Sequence, residues 1–451
     1  MSFIKFLGAS GTVTGSSYLL QNHTTQILID LGMFQGPEEI SNLNYQPLLF
    51  KPSQLDGVIL THAHIDHCGR LPMLANQGFS GPIYMTEATK VLTDLTLHDS
   101  AKIAQEDFEH HPLYSPEDVD KILSMAQVVP YEKVFNIGAF EFKLIDAGHI
   151  LGSASVIIKD KTAEKGLQTI VFSGDIGSKD EDLLRPTELI GKADIVVMES
   201  TYGDKDHPEE DSWDIIQQEI NAIEKDQSTL LIPSFSIEKT QEILHIIDHL
   251  KKDNKVLEKT QVYLDSPMAI KATNTYKQFP QLYSAELREH RKHDDPFDFP
   301  GLAMVQSANR SKLIRNVTDP KVIIAGSGMM SGGRILHHAK QYLSDSKTHL
   351  LFVGYQAQGT IGRQILEGAD RVNIYGSDIK INANIRRTQA MSSHAGQTKL
   401  LKWLKNMKGV DKVYVTHGED EPRQILAYKI RNELEIHDVT LPQLGDQTEV
   451  N

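Results

Sequence analysis

The run VILTHAHIDHCGRLP, from Val58 to Pro72, sets three imidazoles and a carboxylate, His62, His64, Asp66 and His67, directly behind an apolar β-type segment. Side chains two apart on extended backbone face the same way, so His62 and His64 can converge on one point. The turn that follows can send Asp66 and His67 toward a second. This spacing suits two metal ions better than one. Nitrogen and carboxylate donors without thiolate favour zinc or a similar divalent ion, in a site that keeps one position open for water. A histidine-rich surface loop is the plainer alternative. Against it, the motif stands at the carboxyl end of an expected strand, where α/β proteins place their chemistry.

Composition matters where it excludes something. At 451 residues the chain is too long for one small core, and a domain size of about 150 residues implies two or three domains. No run approaches the ~18 apolar residues of a membrane span. The opening MSFIKFLGASGTVTG has a lone Lys5 and no sustained apolar region, so it reads as a first strand and not as a secretion signal. Cys68 is the single cysteine, which excludes an intramolecular disulfide and fits a reducing cytoplasm. Although it sits inside the metal motif, it is expected as a small buried filler and not as a ligand. The net charge of -14, from 46 basic and 60 acidic residues, argues against holding long nucleic acid by bulk electrostatics. Two divalent ions and a few placed arginines can still create a local positive site for a phosphodiester.

Residues 3 to 31 read as strands, FIKFLG, SSYLLQ and TQILIDLG, parted by Gly-, Ser- and Asn-containing turns. Asp30 ends the third; a turn aspartate and a carboxylate that orients a metal-bound histidine are both open there. IYMTEATKVLTDLTLHDSAKIAQEDFEH reads as a short strand and a long helix, and Ser115, Pro116 and Asp118 mark another helix start. FEFKLID alternates as a half-buried strand with His149 after it, TIVFSGDIG ends in Asp175 and ADIVVMESTYGD in Glu199. Each polar residue alone has a bland explanation. Three successive strands releasing a ligand or acid at the same end make coincidence a poor one.

KDHPEEDSW is polar and acidic and reads as a linker. Beyond it, WDIIQQEINAIEK, TLLIPSF, IEKTQEILHIIDHLKK, QVYLDSP, KVIIAGSG and HLLFVGYQ alternate helical and strand patterns, implying a second parallel α/β unit. EHRKHDDPFDFPGL lacks periodicity and is expected as an exposed loop. GSGMMSGGR lacks the Lys-Ser/Thr pair of a P-loop, which discards nucleoside triphosphate binding. Its amides around Ser327 and Gly328 could hold one phosphate with Arg334 as charge partner, and Arg363 in QGTIGRQIL has the same reading; a structural turn is the equal alternative. Toward the end, His394 precedes an amphipathic helix and His417 follows a short strand.

Taken as an ordered set, these motifs resemble the β-CASP group of metallo-β-lactamase-fold nucleases, nearest to the short bacterial and archaeal relatives of the pre-mRNA 3′-end cleavage subunit. HAHIDH matches the group's second motif, Asp30 its first, His149 its third and Asp175 its fourth. ESTYGD with Glu199, SSHAG with His394 and THGE with His417 match its motifs A, B and C. The resemblance runs from about Phe3 to about Glu419.

That resemblance implies an α/β fold: an αββα metallo-β-lactamase sandwich formed by residues 1–206 and completed by 392–451, with an α/β β-CASP domain inserted at 207–391. It implies two zinc ions or other divalent ions, one on His62, His64 and His149, the other on Asp66, His67 and His417, with Asp175 bridging and Asp30 behind the ligands. Catalysis would fall to His394, Glu199 and Asp66. An activated hydroxide would attack phosphorus while His394, supported by Glu199, protonates the leaving oxygen to give a 5′-phosphate product. His417 at motif C goes with RNA members, so the implied partner is RNA in single-stranded form, in the cytoplasm and without a membrane, and a homodimer stays open. The rivals are an inactive RNA-processing scaffold, which would have lost ligands that this chain retains, and a small-molecule ester or thioester hydrolase, which would lack the inserted domain.

Overall fold

The computed structural model describes residues 2–106, 111–163, 167–178, 183–318 and 320–450. It divides into two compact units: Met1–Asp180, Leu184–Asp206 and His394–Asn451 form one, Glu181–Leu183 and His207–Ser393 the other.

The first unit is built on two seven-stranded sheets. One runs in the order Gln447–Val450, Ser2–Phe6, Tyr18–Gln21, Gln26–Ile29, Gly57–Ile59, Ile83–Met85, Ala126–Val128. The other runs Asp438–Thr440, Lys412–Val415, Ile195–Met198, Gln168–Phe172, Ala154–Asp160, Phe140–Asp146, Val134–Ile137. Alternation along the strands decides the layers. Leu20, Ile27 and Ile29 face Phe140, Phe142, Ile170, Phe172 and Val197 in the core between the sheets. Their neighbours Leu19, Leu28 and Val58 turn outward onto Leu74, Leu97, Val119 and Ile122. On the opposite side Val171, Val196, Val413 and Val415 pack on Leu400, Trp403, Leu426 and Ile430 of the helices Gln397–Lys405 and Asp420–Glu433. A two-residue period has buried both faces of each sheet, giving the order helix, sheet, sheet, helix.

Local signals act where they were read. Ser115 caps the helix Pro116–Leu123 in a reciprocal box with Asp118. The long helix spans Glu87–Glu106; residues 107–110, which the sequence reading added to it, lie outside the described residues. Cys68 is fully buried in the outer core of the first sheet, as a filler.

The second unit holds a six-stranded, all-parallel sheet in the order Leu302–Met304, Gln261–Leu264, Lys321–Ala325, Thr229–Pro233, His349–Phe352, Asn384–Arg387. Its central strands are near-continuous apolar runs because helices cover the sheet, as Ile335, Leu336 and Ala339 do over Leu231, Ile323 and Leu350. One expectation holds only in part. Residues 291–294 of EHRKHDDPFDFPGL are exposed, but its first residues close the helix Ala285–Arg291, and Phe297 and Phe299 are buried. Phe297 meets Tyr276 and Tyr283 edge-on, a tertiary contact that no local periodicity announces. Among the described residues no helix is long and apolar enough to cross a membrane.

Candidate metal centre

After the strand Gly57–Ile59 the chain stays extended through His62 and breaks into the short helix Ile65–Cys68, so His62 and His64 leave one segment while Asp66 and His67 are carried round by the turn. Gly32 makes that turn fit. A Cβ on it would lie 1.5 Å from the carbonyl oxygen of Asp66, so the backbone bearing Asp66 and His67 can seat against it only because the side chain is a hydrogen.

His62, His64 and His149 form a triangle with ring centroids 5.0 Å apart on every side. His149 Nε2 stands 3.1 Å from His64 Nδ1, with no carboxylate between. Alongside, His67 Nε2 lies 3.2 Å from His417 Nε2, and Asp66 Oδ2 lies 3.4 Å from the same His417 nitrogen. Asp175 stands between the two groups. Its Oδ2 is 3.4 Å from His62 Nε2 and 3.5 Å from His149 Nε2, while its Oδ1 is 3.2 Å from His67 Nε2 and 3.6 Å from His417 Nε2.

The outer ring nitrogens are spoken for. Asp30 Oδ2 holds His67 Nδ1 at 2.7 Å while its carboxylate also accepts from the Thr61 amide and hydroxyl, both at 2.8 Å. Thr61 Oγ1 is 3.0 Å from His62 Nδ1, and Thr201 Oγ1 is 3.1 Å from His417 Nδ1. Thr61 and Thr201 went unnoticed in the sequence, although each sits inside a motif; a hydroxyl carries no positional signal until its neighbour's ring is placed. His62 Nε2 and both oxygens of Asp175 are buried without a hydrogen bond. A buried carboxylate without donors is costly, and two groups of ring nitrogens aimed at one another repel by their lone pairs unless cations lie between. The donor set, His62, His64, His149 and Asp175 on one side, Asp66, His67, Asp175 and His417 on the other, fits divalent metal ions.

Electrostatics point the same way. Burial pushes His62 down to about 3 and His64 down to about 4, and takes His149 well below its ordinary value, so all three are neutral lone-pair donors. Burial disfavours the charge on Asp175, yet the imidazoles of His417, His67, His394 and His62 hold its carboxyl well below the usual range. Burial likewise opposes a proton on His67, and Asp175 and Asp30 overcome it, raising His67 well above its ordinary value.

Glu199 and His394 form the rim. Glu199 Oε1 accepts from the Ile176 amide at 2.6 Å, which fixes the carboxylate, and Oε2 and Oε1 lie 3.2 and 3.3 Å from His394 Nδ1. His394 Nε2 points inward, 3.8 Å from Asp175 Oδ2, and its side chain keeps 22% exposure where the side chains of His62, His67, His149 and His417 keep 3% or less. Burial works against its protonation, but Glu199 and Asp175 push it up to about 9.

The residues read as phosphate contacts lie in the second unit and are engaged there. Arg334 binds Asp265 Oδ1 at 2.7 Å and the carbonyls of Val305 and Gln306 at 2.8 and 2.6 Å, so its guanidinium is committed to the protein. Arg363 Nε pairs with Glu367 at 2.7 Å. Ser327 Oγ accepts from the Ser331 and Gly332 amides, and Gly328 lets the Phe235 ring approach, so this glycine-rich run acts as a packed turn.

Comparison with known proteins covers most of the chain. The metallo-β-lactamase superfamily model matches residues 10–221, the Beta-Casp domain model residues 240–365, and the model of the Zn-dependent metallo-hydrolase RNA specificity domain residues 378–442. A Thermus thermophilus protein named a ribonuclease is 38% identical over 97% of this chain and 98% of its own length. A protein named transcription termination factor FttA from Methanosarcina mazei is 32% identical over 97% of this chain and 70% of its own. The namesake from Methanocaldococcus jannaschii is 30% identical over 92% and 67%. A crystal structure of a protein of unknown function from Enterococcus faecalis V583 shares the fold, with a TM-score of 0.57, 13% identity and 99% of each chain covered. With three family models in this order, and a relative matched along nearly its full length, the chain belongs to the β-CASP group of the metallo-β-lactamase superfamily.

Proposed function

We propose that this chain is a ribonuclease that hydrolyses RNA phosphodiester bonds with two zinc ions, held by His62, His64 and His149 and by Asp66, His67 and His417, with Asp175 shared. The observation that carries the reading is the Asp175 carboxylate, which presents one oxygen to each histidine group and has no hydrogen bond to either. Divalent ions bound there supply Lewis acidity toward phosphoryl oxygens and let water act as a nucleophile near neutral pH.

The chain's own residues then divide the work. Asp30 and Thr61 hold the ring of His67, and Thr201 that of His417, so the inward nitrogens keep their aim. Glu199 holds His394 by Nδ1 and keeps its Nε2 proton available. As the oxygen of water bonds to phosphorus and gives up a proton to solvent, the P–O3′ bond breaks and the His394 proton passes to O3′, leaving a 3′-hydroxyl and a 5′-phosphate. The β-CASP domain is assigned to residues 207–391, flanked by metallo-β-lactamase segments at 1–206 and 392–451. RNA as the substrate is supported by the match to an RNA specificity domain and by the name of the Thermus relative; a single-stranded substrate is part of the same reading, since a flexible unpaired backbone reaches buried groups more readily than a stiff duplex. A cytoplasmic setting fits the lone, buried thiol.

The test is incubation of zinc-replete protein with 5′-labelled single-stranded RNA, read beside metal analysis. Cleavage to 5′-phosphate ends that is lost in Asp175→Ala supports the proposal. Intact RNA with turnover of a thioester would replace it with a small-molecule hydrolase, and protein that binds no divalent metal would make it a scaffold.

A further inference from the structure

We infer that the second unit carries a divalent-cation site of its own at His245, His249 and His290. His245 and His249 lie four apart on the helix Lys239–Lys252 and so share a face; His290 comes from the helix Ala285–Arg291. Each offers a ring nitrogen, and those nitrogens lie within 4.8 Å of one another.

Two features repeat what distinguishes the metal centre of the first unit. There, ring nitrogens face one another at 3.1 and 3.2 Å; here His249 Nε2 and His290 Nδ1 do so at 2.9 Å. Zinc–nitrogen distances of about 2.0–2.1 Å in tetrahedral geometry place neighbouring ligand nitrogens roughly 3.3 Å apart, within a few tenths of an ångström of this. There, His62 Nε2 is buried without a hydrogen bond; here His245, 7% exposed, has its Nδ1 buried without one. Nδ1 of His245 has no hydrogen-bond partner while the Pro296 backbone favours a proton on the ring, which leaves Nδ1 as the lone-pair donor. A ring N–H given to a carbonyl behind the ligand is how metal-binding histidines are oriented.

His290 has a comparable support. Its Nε2 is 3.1 Å from Asp248 Oδ2, so a proton on Nε2 given to that carboxylate leaves Nδ1 free to ligate. Lys252 Nζ competes for the same nitrogen at 2.8 Å, and its charge opposes a cation. Asp248 and Asp294 offset that charge, with oxygens 2.8 and 3.0 Å from Nζ. Burial pushes His245 down to about 3 and His290 down to about 4, so both are unprotonated at neutral pH. Three imidazoles without thiolate suit zinc, nickel or copper, with water as a fourth ligand. A cation there ties the two helices together.

Trp213 supplies a reporter, its ring centroid lying 5.2 Å from that of His249 and 5.9 Å from that of His245. The experiment dialyses the full chain against zinc and counts metal per chain, then titrates nickel(II) while following tryptophan fluorescence, with Trp213→Phe to assign the signal. His249→Ala is expected to bind one zinc fewer per chain than wild type and to lose a saturable nickel quench of Trp213. His249→Gln, which keeps a polar group of similar size, is expected to do the same with an unchanged circular dichroism spectrum. Equal zinc content in wild type and both variants, or nickel titrations that leave Trp213 emission unchanged, overturns the assignment.

Discussion

Replacing Glu199 by glutamine tests the proton donor while keeping the shape of its support. The carboxylate oxygens lie 3.2 and 3.3 Å from His394 Nδ1. Two unit charges about 4 Å apart interact by about 4 kcal/mol at an effective dielectric constant of ~20. At about 1.4 kcal/mol per unit this is about three pKa units. Burial takes part of it back, Asp175 and Asp66 add to it, and the net result is the rise from 6.5 to about 9. Glu199→Gln should therefore bring His394 down by about 2–3 units in metal-free protein, read from the ring resonances in an NMR titration. Cations at the neighbouring clusters lower the starting value, so with metal bound the loss of Glu199 removes the charge that keeps the imidazolium populated. Cleavage of RNA should then fall by ~10²–10⁴-fold, the usual worth of general acid catalysis. A p-nitrophenyl phosphodiester needs no proton on its leaving group, so its hydrolysis should fall by less than about tenfold. Equal losses on the two substrates would show that His394 is not the proton donor, and an unmoved His394 titration would refute the electrostatic argument itself.

Removing the carboxylate behind His67 is a milder perturbation: Asp30→Ala should weaken metal affinity by ~10–100-fold, measured by chelator competition, with loss of folding as the contrary result. Gly32→Ala forces a methyl against the Asp66 carbonyl and is expected to cost at least about 1–3 kcal/mol in chemical denaturation and to reduce bound metal; unchanged metal content would mean the turn can yield. Asp146 is raised to about 6 because burial outweighs its Arg185 partner. A raised carboxyl contributes stability that is fully present below its unfolded value near 3.8 and is lost as pH rises through about 6. The stability difference between wild type and Asp146→Asn should thus move against wild type by about 2 kcal/mol from pH 4 to pH 7, and a difference flat with pH would contradict it.

Much of this protein is written locally. The period-two runs around Leu28, Phe142 and Val196 announce the strands, the Ser115 box announces its helix, and HAHIDH announces a metal site, because each depends on neighbours within a few residues. Even the distant His149, Asp175, Glu199, His394 and His417 could be picked out, since each follows a strand or precedes a helix at an expected rim. What stayed hidden depends on facing partners far along the chain. EHRKHDDPFDFPGL looks like solvent-exposed loop until Phe297 finds Tyr276 and Tyr283. Arg334 looks like a free phosphate ligand until Asp265, just past the strand Gln261–Leu264, claims it. His245 and His249 show their shared helical face in the sequence, but only the packing of a second helix brings His290 to them.

By itself, then, the sequence determined which side chains can serve as ligands, acids and core, because periodicity and spacing are properties of one segment. Tertiary structure decided which of them meet, which oxygen of Asp175 faces which ring, and which nitrogens are left without a partner. Those are distances between segments, set by how two sheets close on a shared core, and it is at such distances that lone pairs either share a cation or repel.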